Sequence, residues 1–596
     1  MKKIGFAFGT LALVFGLLNP GWSQDQIPGQ IYVSFKPNRV TLETDTSGFM
    51  VCHIDYLDSV NLANELQAIF NVNCGDCPLL ENDYIAVFPD SADIPDLVDA
   101  YLADTNVIWA GARYFPVFDF TPNDSFFAKP SPSATPSSYQ WPLDSAHLQM
   151  EKAWDITKGD TGVVIAILDS WHAWRHPDLE TTAWLNYGED RNGNGQFDPE
   201  PYPTGDLDSV DNDNDGYIDN MLGYHFDAVD SNNELVICNP NPEPILNSQW
   251  DSNLVPQYPH LQPFKHGTWT WGTVAAKTHN YRGVAGAGFN CRVLPVGFDN
   301  YAPVGPAFCY LLQMKLQHGI PHIVNMSFRV TPATPNDTVL VDSLYGLGVV
   351  LIGAAGNDFG REVANFPAGR PKVISVAATD SNDYRAHFST IDTTVDLSAP
   401  GFNYMTQIDF DIDSNKVVGY GYASVDSSYT PPYFIKGTSF SAPLVAGVAG
   451  LVRSLFPSWS VDEIMAKIRS STDSIQYHSQ ADRDSLAGKF GTGRLNAYKA
   501  VTFFGNIPNS ANDTTLDGVV YVSGDITVPA GKTLTLTAGT SLKFVSGDVM
   551  PSTGNPSPGK GQLIVKGTLT CLGSVSDSII LTSFQSSPQA GTGPGF

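Results

Sequence analysis

Four polar residues, far apart in the chain, could share one chemistry: Asp169, His266, Asn357 and Ser439. Ser439 lies in Gly437-Thr-Ser-Phe-Ser-Ala-Pro443, which reads as a tight turn running into a helix. Gly437 suits an unusual backbone angle. Pro443 suits a first helical turn, where its missing N–H costs nothing. Leu444 to Leu455 is apolar almost all round, which predicts a buried helix. Gly447 and Gly450 within it would let a neighbouring element approach closely. A hydroxyl at the mouth of such a helix meets N–H groups and a dipole that favour developing negative charge. That place suits a serine nucleophile, although a lone Gly-Thr-Ser before a helix is more often an ordinary cap. His266 opens a second helical stretch that continues through Gly272-Thr-Val-Ala-Ala276. A single histidine is commonly structural, and an Asp after a strand commonly caps a helix. The set and its order, Asp, His, Asn, Ser, carry the reading.

Elements that could bring these residues together recur from about Tyr139 to Phe504. Short β-branched runs, Val163 to Leu168, Ile323 to Met326, Val349 to Ile352 and Val373 to Val376, each lead into turns and helical stretches. Such runs suit an α/β fold, a parallel sheet covered on both faces. In such sheets ligands bind outside the carboxyl ends of the strands. Asp169 follows the first run, Ser327 the second, and Asn357 ends the turn Ala354-Ala355-Gly356-Asn357 after the third.

On these residues the region resembles a subtilisin-type serine protease, a subtilase. Asp169-Ser170 with His176-Pro-Asp-Leu179 resembles the family's aspartate motif. His266-Gly-Thr268 with Gly272-Thr273 and Gly283-Val-Ala-Gly286 resembles its histidine motif. Asn325-Met-Ser327, Gly356-Asn357, Ser398-Ala-Pro-Gly401, Gly437-Thr-Ser439 and Arg494-Leu-Asn-Ala497 complete the match. The resemblance implies a doubly wound parallel sheet and an endopeptidase. Ser439 would attack the scissile carbonyl and His266 would relay its proton. Asp169 would orient the imidazole, and Asn357 with the Ser439 N–H would bind the oxyanion. Polypeptide substrate would lie as an added strand along Ser327, Phe328 and Arg329 and along Ala354, Ala355 and Gly356. The chain departs from the family at Trp171, Trp269, Trp271, Arg329 and Leu444, where smaller residues or histidine are usual. Arg329 would narrow the accepted side chains or draw acidic ones, unless it simply points to solvent.

An acidic insertion, residues 186–230, separates Asp169 from His266. One loop carries Asp190, Asn192, Asn194 and Asp198; the other carries Asp211, Asp213, Asp215, Tyr217 and Asp219. Alternating short oxygen side chains before a Gly turn is how an EF-hand-like loop wraps calcium. Pro201 and Leu222 stand where the bidentate Glu belongs, so looser, structural Ca2+ sites are expected rather than EF-hands. A solvated acidic loop is the alternative.

The flanks differ in texture. Lys2 and Lys3, an apolar run to Leu18, and small residues before Gln24 make residues 1–23 a secretory signal peptide. No later stretch reads as long and apolar enough to span a bilayer, so the product is expected to be secreted, free or at the cell surface. A net charge of −28 over 596 residues argues against nucleic acid as a partner. Residues 24–128 read as a small α+β unit, with a helix at Leu62 to Phe70. The family resemblance makes that unit a pro-segment, an inhibitor of its own enzyme. Residues 129–138 form a Pro/Ser linker, and cleavage is expected after Asp119. The seven cysteines permit disulfides without fixing any pairing, and Cys74-Gly-Asp-Cys77 alone is a weak redox or zinc signal. Residues 505–596 carry short alternating strands with Gly turns, the start of a β-helix-like repeat that would continue beyond Phe596. Such a tail could touch a cell surface or polysaccharide. It also leaves a second function open, an inert protease-fold scaffold that binds through its tail.

Overall fold

The computed structural model describes residues 26–36, 41–44, 50–53, 68–71, 83–89, 92–114, 121–127, 139–226, 238–243, 263–298, 304–330, 333–362, 365–403, 405–411, 416–423, 425–426, 433–506, 513–545, 563–573 and 577–583. The expected signal peptide, the 129–138 linker and the Cys74–Cys77 pair lie outside these residues.

Among the described residues, the N-terminal unit is a four-stranded antiparallel sheet backed by one helix. Its strands are β1 (Gln26–Phe35), β2 (Ala68–Asn71), β3 (Asp83–Val87) and β4 (Val107–Tyr114), in the order β2-β3-β1-β4. Ile31, Val33 and Phe35 point to one face, where they pack with Leu97 and Tyr101 of α1 (Ile94–Leu102). The Asp93 side chain caps that helix by accepting from Asp96 N. The helix expected at 62–70 is not found where it can be checked. Residues 62–67 lie outside the description, and Ala68–Asn71 is strand β2, paired in register Ala68↔Val87. Pairing along β3 overrides a local helical spacing that is only a weak preference.

The central sheet has ten strands. Those that position the site are β5 (Val164–Asp169), β6 (Tyr224–Phe226), β8 (Arg292–Phe298), β9 (Ile323–Met326), β10 (Val350–Ala354), β11 (Ile374–Thr379) and β12 (Leu397–Pro400), with β7 (Cys238–Asn239) at one edge. They run β12-β11-β10-β9-β5-β8-β6-β7, all parallel except the β6–β7 pair, and two short strands extend the far edge. Both faces are covered. Val164, Ala166 and Leu168 pack under α3 (Gly305–His318) and α4 (Pro335–Gly346). Ile165 and Ile167 pack under α2 (Pro263–Ala275) and α5 (Thr438–Leu455). Each of the Val, Ile and Leu side chains contributes about 1.5–3 kcal/mol by leaving water.

Helix α5 runs through this second core. A Cβ on Gly447 would come within 2.6 Å of the Ala287 Cβ, so the close approach expected there is real. By length and composition α5 could cross a membrane, contrary to the sequence expectation, but 83% of it is buried within the protein.

Two flanking segments belong to the central core more closely than the sequence indicates. Residues 121–127 lie on the central unit. Phe126 N bonds to Gly283 O at 2.9 Å, Tyr281 N to Asn123 Oδ1 at 2.8 Å, and buried Phe127 packs on Trp154. After α6 (Val461–Ser470), the tail strands β13 (Phe503–Asn506), β14 (Val519–Val528) and β15 (Ser541–Phe544) pair in parallel. Their residues Phe503, Val520, Val522 and Leu542 sit in the same apolar core as α5. At the junction the buried Lys467 Nζ donates to Thr502 O and lies 4.6 Å from the Phe503 ring. Thr502 Oγ1 and Ser523 Oγ, both buried, are 2.8 Å apart.

Candidate active site

Strand β5 ends on Asp169, and α2 carries His266 across it. Gly267 permits the crossing: a Cβ there would lie 2.6 Å from Trp171 O and 2.8 Å from Ser170 O. His266 Nδ1 then meets Asp169 Oδ1 at 2.7 Å. Ser170 N donates to the same oxygen at 2.7 Å, and Thr270 Oγ1 donates to Oδ2 at 3.2 Å. Burial alone would push the imidazole pKa down, but the Asp169 charge and hydrogen bond outweigh it and hold it above the usual histidine value. Burial would likewise raise the Asp169 carboxyl, yet His266 holds it below the usual range. Thr270 is a partner that sequence reasoning missed; its place one helical turn beyond His266 was the available signal.

Ser439 stands in the first turn of α5, which begins at Thr438 rather than near Pro443. Two local expectations change. Gly437 has φ 161°, an ordinary extended conformation, so its value is space: a Cβ there would lie 3.2 Å from Asn357 Nδ2 and 3.7 Å from Ser439 N. Pro443 sits inside the helix and cannot bond back to the carbonyl of Ser439. That carbonyl accepts instead from Ser327 Oγ at 2.9 Å. Ser439 Oγ donates to Ser327 O at 3.2 Å, so paired bonds join the two serines, and no hydrogen bond joins Ser439 to His266 among the described residues. Asn357 Oδ1 accepts from Thr438 N at 3.0 Å, which fixes the amide beside the Ser439 backbone. Gly356, at φ 117°, makes the turn that delivers Asn357.

The tryptophans have their own niches. Trp171 stacks on buried His225 at 3.4 Å between centroids, and Trp271 Nε1 donates to Thr182 Oγ1 at 3.0 Å. Trp269 is buried with Met405, Ile435 and Phe440. The His266 ring lies 6.2 Å from Trp269 and 5.7 Å from Phe440. Of the expected substrate-contact residues, Ala354 and Ala355 are buried, so only their backbone could meet a ligand. Phe328 packs edge-on against Phe298. Arg329 is exposed but bonded to Asp358 at 2.7 Å, so its charge is already matched. Burial would raise the Asp358 carboxyl, and its bonds from Asn365, Arg329 and Thr390 bring it below the usual value.

The acidic insertion folds around its own backbone. Asp190 accepts from Gly193 N and Gly195 N, both at 2.8 Å, and Asp198 accepts from the Asn192 and Asn194 amides. Asp219 is spent on the N–H groups of Asp208 and Ser209, and the Tyr217 ring packs on Tyr310 and Tyr224. Among the described residues, groups of three His, Cys or carboxylate ligand atoms within 4.8 Å occur only at Asp213–Asp215–His318 and Glu189–Asp211–Asp213. These acidic clusters could hold a metal. Asp190, Asp198 and Asp219 are therefore not gathered with the others, and Glu189 and His318 join from outside the motif. His318 Nε2 meets Asp215 Oδ2 at 2.9 Å. The Glu189 carboxyl is pushed up to about 7, chiefly by burial, with the Asp213 charge adding to it. Cys291, Cys309 and Cys571 are free thiols, and burial pushes the Cys291 thiol up to about 12.

Comparison with known proteins returns one family model, the Subtilase family, over residues 160–493. A thermostable alkaline protease of Halalkalibacterium halodurans is 33% identical over 35% of this chain and 52% of its own length. A thermophilic serine proteinase of Bacillus sp. strain AK1 is 25% identical over 76% of this chain and 86% of its own length. An extracellular protease of Xanthomonas campestris is 27% identical over 74% of this chain and 70% of its own length. The chain thus spans about half of the first relative and most of the other two.

Proposed function

Because the chain belongs to the subtilase family of serine endopeptidases, we propose that it is a secreted enzyme that cuts polypeptides with Ser439, His266, Asp169 and Asn357. The observation that carries this reading is the 2.7 Å His266–Asp169 bond opposite a helix mouth that holds Ser439 beside the Asn357 amide. Substrate entering the cleft would draw the Ser439 hydroxyl from Ser327 O toward His266 Nε2. Attack on the carbonyl carbon then passes the hydroxyl proton to His266. Asp169 stabilises the imidazolium, and Asn357 Nδ2 with Ser439 N receives the negative oxygen. His266 returns the proton to the leaving amine, and water repeats the sequence to free the enzyme.

The insertion fits a structural Ca2+. The Glu189–Asp211–Asp213 group is all oxygen, as a hard cation requires, whereas His318 makes the neighbouring group a poorer match. A bound ion would neutralise the clustered carboxylates and fix the loops, and no catalytic step passes through it. We read the region before Thr121 as the pro-segment, since residues 121–127 pack on the catalytic core. The parallel tail strands are read as rungs of a β-helix. The name of the Xanthomonas relative supports export.

Labelling by a fluorophosphonate tests the reading. Reaction with the full chain and none with Ser439→Ala supports it. An unlabelled, folded protein would leave the inert-scaffold function in its place.

A further inference from the structure

A cavity of about 900 Å³ opens away from the catalytic residues, between the segment 174–187, the first acidic loop and the end of α3. None of Asp169, His266, Asn357 or Ser439 lines it. Its size is that of an ordinary ligand site. Trp174, Ala183 and Phe197 form an apolar floor, and all three are buried. The floor is rigid: Trp174 Nε1 is tied to Asn241 Oδ1 at 3.0 Å, and the Arg175 guanidinium lies 4.7 Å over its ring. Tyr187 stands at the rim with 66% of its surface in water, an exposure unusual for a large ring with nothing to cover.

The rim carries charge of both signs. Glu180 and Glu200 have no ion-pair partner among the described residues. Among the described residues, Arg292 bonds to the carbonyls of Thr181 and Ala183. Arg175 is matched by Glu243. Asp198 also lines the cavity and accepts from the Asn192 and Asn194 amides, so the rim has more carboxylates than unmatched guanidinium groups and disfavours an anion. It does suit hydroxyl groups, which can donate to a carboxylate and accept from a guanidinium at once. The backbone N–H of Trp184 is already bonded to Val293 O at 2.8 Å, so it is not offered to an added peptide strand. Apolar C–H faces ringed by hydroxyls describe a sugar.

We propose that this groove binds an uncharged oligosaccharide, with a sugar ring stacked on Tyr187 and its hydroxyls held by Glu180, Glu200 and Arg292. The site stands whether or not Ser439 is a nucleophile. It would hold the protein on a polysaccharide matrix independently of the tail.

Isothermal titration of the full chain with cellohexaose, xylohexaose, laminarihexaose and chitohexaose tests it, with hexalysine as the charged control. At least one neutral hexamer should bind with a dissociation constant of about 1 mM or tighter. Tyr187→Ala and Glu180→Gln should each weaken that binding about tenfold. Tyr187→Phe should retain it, and hydrolysis of a casein substrate should stay unchanged in all three. Binding of none of the four sugars overturns the proposal. So does sugar binding untouched by both weakening variants, which places the site elsewhere. Binding of hexalysine that Glu180→Gln abolishes would make the groove a cationic-peptide site instead.

Discussion

The catalytic rim and the acidic insertion are both built from carboxylates and small polar groups, but they are held in opposite ways. Asp169, His266 and Ser439 come from three separate elements and Asn357 from the turn after a fourth, so the buried sheet and helices position each one. The insertion's carboxylates are close neighbours in sequence, and their partners are mostly loop N–H groups. The rim is therefore rigid because the core is packed. The insertion concentrates negative charge, and its own hydrogen bonds order it; a bound cation would add to that order. Losses at the rim should appear in rate, and losses at the insertion in stability.

Ser439→Ala is the largest test of that division. It should lower kcat by roughly 10^6-fold with the melting temperature unmoved; a variant that also melts early would show that the rim supports the fold. Asp169→Asn should lower kcat by about 10^4-fold. Its pH profile gives a second readout. Catalysis needs neutral His266, and Asp169 raises that pKa. The acid limb of kcat/KM should therefore lie above the ordinary histidine value in the parent and move to lower pH in the variant. A limb that stays put would deny the coupling. Asn357→Ala should cost about 10^2–10^3-fold in kcat with KM little changed.

At the insertion the signature reverses. Chelation of calcium, or Glu189→Gln, should leave initial rates alone while lowering the melting temperature. Calcium at roughly a hundredfold above its dissociation constant contributes about 3 kcal/mol. An unmoved melting temperature would remove the ion from the account. The smallest effect is expected at Arg329→Gly. Because Asp358 already matches that charge, the cleavage profile of a peptide library should shift by no more than about threefold.

The same division explains what the sequence disclosed. The rim was legible because each polar residue follows a β-branched run or opens a helix, and those runs are fixed by burial on both faces. Its fine structure was not. Pro443 reads locally as a helix start, and only the Ser327 hydroxyl, which takes the bond that Pro443 cannot make, explains why it lies deeper. At the insertion the spacing pointed to two acidic loops; in the structure Asp190 and Asp219 accept from loop N–H groups, while Asp211, Asp213 and Asp215 lie in groups with Glu189 or His318. Loop carboxylates choose between N–H groups and an ion by three-dimensional closure, and Glu189 and His318 arrive from outside the motif. Residues 121–127 follow no periodic pattern at all, and their place depends on partners at 279–284 that sequence order does not reveal. The strand at Ala68–Asn71 was hidden for a related reason, since its pairing partner outweighs its own spacing.

The shared core of α5 and the tail strands has one more consequence. With Phe503, Val520 and Leu542 inserted beside the helix that carries Ser439, that helix and the tail strands share one packed core. Pulling on those strands would load that helix directly, so a force on the tail would reach Ser439 through packed side chains.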